Sequence, residues 1–321
     1  MHKKKLALAA VLATTGVAQA QSSVTLYGAA DAGIGKIGWG APQGNDADSK
    51  LQFMSSSLMN NTGTHIGLRG IEDLGGGLRA GFSFETGVDM DNGNTITAGA
   101  GAGTWGRGAK MWLEGNWGTF QMGRTLNASF WGLANWELTG AAVYSVVGTA
   151  YNWVGNGPRS SSLFVYKTPN LGGFSADLGY TFKADNVIDG KQRAKWDMHA
   201  KYIGGPVVVA FSANQVKGAK TSYSLGGRYT FGDFTVAASL QDAANEQARR
   251  RGATLGVKYV SGLVAVVLDV TRDFKNEWGP KKYTNALLEG KYALSKRTFA
   301  YAAYLRMDGT NNFGLGVRHN F

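Results

Sequence analysis

The chain has 321 residues, 33 lysines and arginines against 22 acidic residues, no cysteine, and 47 glycines beside only 5 prolines. A chain without cysteine is no disulfide-stapled small domain, and no stretch reaches the roughly 18 continuous apolar residues that a spanning helix needs, so helical membrane insertion is excluded. Aromatic residues at 12% and abundant glycine suit many strands joined by tight turns.

Met1–Ala20 is set apart from the rest. His2, Lys3, Lys4 and Lys5 lead into the apolar run Leu6–Ala13, and Ala18-Gln19-Ala20 precedes Gln21. Basic start, apolar middle and small-residue end are the layout of a cleaved secretory signal. Its removal takes away three lysines and no acids, and leaves residues 21–321 as a single expected domain.

The first strand is expected at Val24–Gly35, with Val24, Leu26, Gly28, Ala30, Ala32 and Ile34 on one face and Thr25, Tyr27 and Asp31 on the other. A polar loop, Lys36 to Thr62, follows. Ile66 and Leu68 then alternate with His65, Gly67 and Arg69, the chain turns at Glu72–Gly77, and a third strand returns with Leu78, Ala80, Phe82 and Phe84 opposite Arg79, Ser83 and Glu85. After a second glycine-rich loop, Val88 to Trp105, Lys110–Gly115 and Thr119–Gly123 pair across Asn116-Trp117-Gly118.

Thr125 to Pro158 breaks this rhythm. It is too long for an ordinary connection and, with Phe130, Trp131, Trp136, Tyr144, Tyr151 and Trp153, too aromatic to stand in water. Strands resume at Ser161–Lys167 and Phe174–Lys183, Lys195–Tyr202 and Val207–Val216, Ser222–Phe231 and Phe234–Asp242, Ala253–Val260 and Leu263–Phe274, Tyr283–Leu294 and Thr298–Met307, and finally Phe313–Phe321. That makes sixteen strands, with short turns at one end and longer loops, among them Lys183–Arg193, Ala243–Gly252 and Asp308–Asn312, at the other. An even number of strands joined this way describes an all-β, sixteen-stranded antiparallel transmembrane β-barrel. A soluble β-sandwich also alternates, but here its wetted face would be the apolar, glycine-spaced one.

Four motifs carry a resemblance. Ser23-Val24-Thr25-Leu26-Tyr27-Gly28, Ile66-Gly67-Leu68-Arg69-Gly70 with Glu72-Asp73-Leu74-Gly75-Gly76-Gly77-Leu78, Leu294-Ser295-Lys296-Arg297-Thr298, and Gly316-Val317-Arg318-His319-Asn320-Phe321 stand in the order found in the general porins of β-proteobacteria. The chain resembles the neisserial and Burkholderia/Bordetella/Comamonas type over its whole mature length. The resemblance implies a homotrimer of sixteen-stranded barrels in the Gram-negative outer membrane, with the third external loop, here residues 125–158, folded into each pore. The last strand alternates Phe313, Leu315, Val317, His319 and Phe321, and its terminal Phe321 resembles the sorting signal read by the barrel-assembly machinery.

Chemistry for catalysis is scarce. Without cysteine and with only His65, His199 and His319 left after cleavage, no catalytic, cofactor or metal site is expected, and His199, on the polar parity with Asp197 and Lys201, reads as a wet lumen residue. The resemblance instead implies a constriction in which basic wall residues face loop carboxylates. The matching wall positions are Arg107, Arg159 and His65, with Arg69 one step nearer the short-turn rim; the opposing acids are Glu137 on the loop and Glu85 on the third strand. His65 stands where such porins often carry an arginine, so its charge is only partial at neutral pH. Arg249-Arg250-Arg251 and Lys281-Lys282 are expected on mouth loops, drawing in anions or holding lipopolysaccharide phosphates.

The function expected is passive diffusion of small hydrophilic solutes and inorganic ions with an anion preference. Two rivals are a substrate-specific channel for a small organic anion, which would show saturable conductance, and a surface adhesin or antigen barrel, which would show none. An outer-membrane enzyme would need an outward-facing serine and histidine at the rim, and secretion argues against a nucleic-acid partner despite the basic balance. Mature protein should begin at Gln21, which the intact mass of outer-membrane material checks; a larger mass retaining Met1–Ala20 would overturn the signal reading.

Overall fold

A strand in hydrocarbon has no water to satisfy its amides, so each must find a neighbour on both sides. The computed structural model, which describes residues 23–39, 50–96, 103–188 and 190–321, meets that demand by closure. The expected signal Met1–Ala20 lies outside the described residues, as do parts of the loops expected at Lys36 to Thr62, Val88 to Trp105 and Lys183–Arg193.

The strands are β1 (Ser23–Lys36), β2 (Gln52–Ser55), β3 (His65–Gly75), β4 (Leu78–Gly87), β5 (Gly108–Gly115), β6 (Gly118–Leu126), β7 (Arg159–Lys167) and β8 (Phe174–Thr181). A small hairpin, β9 (Val187–Ile188) and β10 (Lys191–Gln192), stands apart from the sheet. The wall continues with β11 (Lys195–Gly204), β12 (Val207–Val216), β13 (Ser222–Phe231), β14 (Phe234–Ala244), β15 (Arg249–Ser261), β16 (Val264–Asn276), β17 (Thr284–Ala293), β18 (Thr298–Met307) and β19 (Thr310–Asn320). Consecutive wall strands pair antiparallel, and β1 closes the ring by pairing with β3 through its first half and β19 through its second. The short β2 pairs with β1 beside Ala32–Gly35, which leaves sixteen strands around the barrel. At the seam Gly28 and Phe321 exchange backbone hydrogen bonds, both 3.1 Å, so the last residue of the chain is part of the closure.

Alternation then sorts the two faces. Val24, Leu26, Ile34, Leu255, Leu268 and Leu315 are exposed, whereas Asp31, Asp269, Thr271, Asn285 and Glu289 are buried. The apolar face is the outer one, the reverse of a soluble protein and the pattern a bilayer selects.

The structure corrects three expected boundaries. The turn at Glu72–Gly77 is tighter, because β3 runs on to Gly75. Asp308–Asn312 is no loop: Asp308 (φ 49°) and Gly309 (φ 87°) form a two-residue turn, the left-handed pair that joins twisted strands best. The loop at Ala243–Gly252 is likewise short, since β15 begins at Arg249.

Residues 127–158 hold helices α1 (Ala128–Ala134) and α2 (Val146–Ala150). α1 packs on β8 and β11–β13, and α2 on β16–β18, in each case against the polar face of the wall. The segment is seated by close fits. A Cβ on Gly226 of β13 would lie 2.2 Å from Cε2 of Trp136, and one on Gly252 of β15 would lie 1.9 Å from the Tyr151 hydroxyl, so two wall glycines make slots for two buried loop aromatics. On the loop side Gly132 presses equally close to Ser212.

Polar anchors complete the docking. Asn127, the N-cap residue of α1, makes no side-chain cap bond; Asp197 on β11 accepts from Ser129 N at 2.5 Å and Ser129 Oγ at 2.8 Å instead, capping the helix from the wall. Asn214 Nδ2 donates to Val154 O at 3.0 Å, and Lys291 Nζ to Thr139 O at 2.8 Å.

Filling one slot should release the loop before the wall, because β13 is held by two neighbouring strands. Gly226→Val is expected to cost about 1–3 kcal/mol by overpacking, with the barrel still resistant to unfolding and single-channel recordings showing larger, noisier openings. Unchanged recordings would mean that Trp136 does not hold the segment in place.

Candidate functional site

The helices occupy one side of the interior, and the basic residues come from the other. Tyr27 on β1, Gly67 on β3 and Glu85 on β4 lie in one cross-strand row. Because Gly67 has no side chain, the Tyr27 ring lies across it, and its hydroxyl donates to Glu85 Oε2 at 3.3 Å. Glu85 Oε1 accepts from Arg107 Nε at 2.7 Å, and His65 Nε2 stands 3.9 Å from Oε2. His65 Nδ1 is 2.7 Å from the Gly63 carbonyl, which fixes that nitrogen as the protonated one. Arg69 lies over the Tyr27 ring, 5.4 Å from its centroid. Five of the six expected constriction residues, Arg107, Arg159, His65, Arg69 and Glu85, are thus linked, since Arg159 Nε donates to the Arg107 carbonyl at 2.9 Å.

The sixth stands apart. Glu137 is 1% exposed and accepts from Thr139 N at 3.0 Å, Thr139 Oγ1 at 2.7 Å, Ser145 Oγ at 3.2 Å and Ala141 N. All four donors belong to its own loop. The carboxylate therefore ties the turn between α1 and α2 and does not face the arginines, which corrects the expected opposition of acid and base.

Two arginines not expected at the constriction, Arg318 of the last-strand motif and Arg124, join the cluster. Arg318 Nη1 donates to Asn61 Oδ1 at 2.8 Å and Nε to Asn320 Oδ1 at 3.0 Å. Its parity, opposite the outward Leu315 and Val317, was the available signal. Arg124 Nε donates to the Gly106 carbonyl at 2.6 Å and Nη1 to Ser161 Oγ at 2.8 Å. It sits where the register of β6 and β7 shifts between Gly123 and Thr125, and such a bulge re-aims a side chain in a way that simple alternation does not show.

A cavity of about 500 Å³ lies between this cluster and the loop. Arg107, Arg159 and Arg318 line it from the wall, and Phe130, Trp131, Val143 and Trp153 from the loop. Among its described lining residues there is no carboxylate. The loop phenols add no charge: burial raises the Tyr144 hydroxyl, and burial followed by the neighbouring Asp273 raises that of Tyr151.

The arginine triplet is not a mouth loop. Arg249, Arg250 and Arg251 open β15, and Arg250, 2% exposed, gives Nε and Nη2 to Asp273 at 2.9 and 2.8 Å and Nη1 and Nη2 to Asp308 at 3.1 and 2.6 Å. Arg249 and Arg251 share Asp242 at 3.1 and 2.9 Å. Acids on β14, on β16 and in the turn before β19 consume the charge that the sequence run advertises. His199, expected to be wet, is 1% exposed beneath α1. Lys281 and Lys282 do remain exposed.

Comparison with known proteins decides the family. A family model described as Gram-negative porin matches residues 7–312. The chain belongs to the Gram-negative porins. This porin is 30% identical to outer membrane porin protein 32 of Delftia acidovorans over 98% of its own length and 93% of that protein's. It is 29% identical to an outer membrane porin protein of Bordetella pertussis, with both chains covered end to end. Among solved structures it is similar to the anion-selective porin from Comamonas acidovorans, at 26% identity and a TM-score of 0.77, covering 94% of this chain and 100% of that one. OmpT of Vibrio cholerae, at 15% identity and a TM-score of 0.69, shares the fold. The chain is an outer-membrane porin, and its barrel spans that membrane.

The geometry separates Glu137, which ties its own loop, from the arginines that line the cavity. Glu137→Gln keeps the volume but loses charge-assisted bonds, at roughly 1–3 kcal/mol. It should make open-channel currents noisier while the reversal potential in a KCl gradient moves less than in Arg159→Ser. A larger shift in Glu137→Gln would place that carboxylate in the ion path.

Proposed function

We propose that this porin is a passive diffusion channel for small hydrophilic solutes and inorganic ions that prefers anions, and that residues 125–158 act as its third external loop and narrow the pore. The observation that carries the reading is the imbalance at the cavity: three guanidinium groups line it and none of its described lining residues is a carboxylate, while Glu85, paired to Arg107, and the buried Asp31, on the Arg318 side, stand behind the lining. Arg159 and Arg318 donate to neutral acceptors, so neither is in a direct ion pair. A narrow low-dielectric passage lined by one sign concentrates the opposite ion. Similarity to a porin described as anion-selective supports the same sign.

Arg107, Arg159, Arg318, His65 and Arg69 form the basic side in this reading, and Glu85 tempers it. The protein works as a channel and not as an enzyme. It assembles as a homotrimer, in keeping with OmpT of Vibrio cholerae, a neighbour in fold described in a trimer form. Residues 1–20 serve as the secretory signal, the barrel-assembly machinery reads Phe321 at the seam, and Lys281 and Lys282 suit lipopolysaccharide phosphates. The internally paired Arg250 does not.

Magnitudes favour the waist over the mouth. Charges on wet loops are screened beyond about 8 Å at physiological ionic strength, and those at a narrow passage much less. Arg107→Ser with Arg159→Ser should shift the KCl-gradient reversal potential toward cations, because Glu85 remains. Neutralising Lys281 and Lys282 should give a smaller shift that fades as salt rises. If the double serine variant kept the parental reversal potential, the filter would lie elsewhere.

A further inference from the structure

The loop's aromatic residues fall into two groups. Trp136, Tyr144 and Tyr151 are at most 1% exposed: Trp136 and Tyr151 fill the slots at Gly226 and Gly252, and Tyr144 packs on Tyr301, centroids 5.9 Å apart. Trp131 is 41% exposed although it sits on α1 inside the ring of strands, and it lines the cavity shared with the arginines. Packing accounts for the first group and leaves the second unexplained, since a water-filled passage gains nothing from an open indole face.

The exposed group is also ordered. Phe130 meets Trp131 edge-on, centroids 5.4 Å apart and planes at 83°, and meets Trp153 at 4.5 Å. Phe130, 9% exposed, separates the two indoles, and Trp153 is half-buried and pressed on Gly148 of α2, so Trp131 is held in place with the open face. Facing them, Arg159 and Arg318 spend only some of their five donors each on neutral oxygens. The remaining N–H groups match a carboxylate.

We infer that this passage selects small aromatic carboxylates over aliphatic carboxylates of equal charge, the carboxylate pairing with Arg159 and Arg318 while the ring stacks on the open face of Trp131. The inference rests on the anion preference proposed above and names the solute class that preference serves. A cavity of about 500 Å³ suits a single small molecule. A sugar would also stack on indole, but its hydroxyl hydrogens need acceptors, and the described lining offers guanidinium donors and no carboxylate.

The test uses purified porin in planar bilayers carrying chloride current, with benzoate, cyclohexanecarboxylate and acetate added as blockers and benzyl alcohol as the uncharged control. Benzoate should half-block at a concentration about threefold to tenfold below cyclohexanecarboxylate, the ratio a single aromatic contact supports, acetate should be weaker still, and benzyl alcohol should not block. Trp131→Leu, which keeps apolar bulk without a ring face, should erase the advantage of benzoate, and Arg159→Ser should weaken all three acids. Equal block by benzoate and cyclohexanecarboxylate, or a benzoate advantage that survives in Trp131→Leu, would overturn the inference. The reversal potential of the unmodified channel in KCl keeps the two readings apart: anion preference without ring discrimination sinks only this one, and loss of anion preference sinks the underlying proposal.

Discussion

The hydrogen-bonding demand of backbone in hydrocarbon is the constraint on which the rest of this molecule depends. An open sheet edge would leave a row of amides without partners, so the sheet must return to its own start. The seam shows how completely this is met, since Phe321 bonds Gly28 in both directions and β1 changes partner half-way along. Closure in turn divides every strand into an outer and an inner parity. The outer parity is apolar because lipid takes it, and the inner is free to carry Asp31, Asp269 and Glu289.

A closed ring of sixteen strands leaves an interior too wide for wall side chains to fill. The segment between β6 and β7 occupies part of it, and the fit is asymmetric. Glycine slots at Gly226 and Gly252, with Asp197 and Lys291, draw the segment toward β11–β13 and β16–β18. The open space is left against β19 and β3–β7, where the guanidinium groups are. The electrostatics of the cavity are thus set by where the loop leans. Glu137 completes the asymmetry, because its oxygens are taken by donors of its own turn and it offers the passage no counter-charge.

Local charge density in the sequence was a poor guide to function here. The run Arg249-Arg250-Arg251 is the most basic stretch of the mature chain, yet Asp242, Asp273 and Asp308 reach it from elements distant in sequence. Arg318 and Arg159, each without a charged neighbour in the chain apart from His319, line the cavity and donate to neutral acceptors, in no direct ion pair. Tyr27 and Glu85 show the converse: 58 residues apart in the chain, they touch because Gly67 lies between them in the sheet.

Period-two alternation and turn chemistry were enough to count the strands, to set their order and to assign outer and inner faces, since these follow from side-chain direction along a strand and need no knowledge of the partner. The break in alternation singled out residues 125–158 as the segment that had to pack on something, whereas Arg107, Arg159, His65, Arg69 and Glu85 were pointed to by the family resemblance, and the structure links these five to one another. The sequence reading missed Arg124, because a bulge breaks the parity rule. It misplaced Glu137 and His199 because their partners come from loop turns and a helix whose docking no local pattern encodes. Which side of the ring the loop leans on, and so which charges face open water and which are buried, was decided by tertiary fit alone: cavity shape and charge cancellation are properties of surfaces that meet only after the barrel has closed.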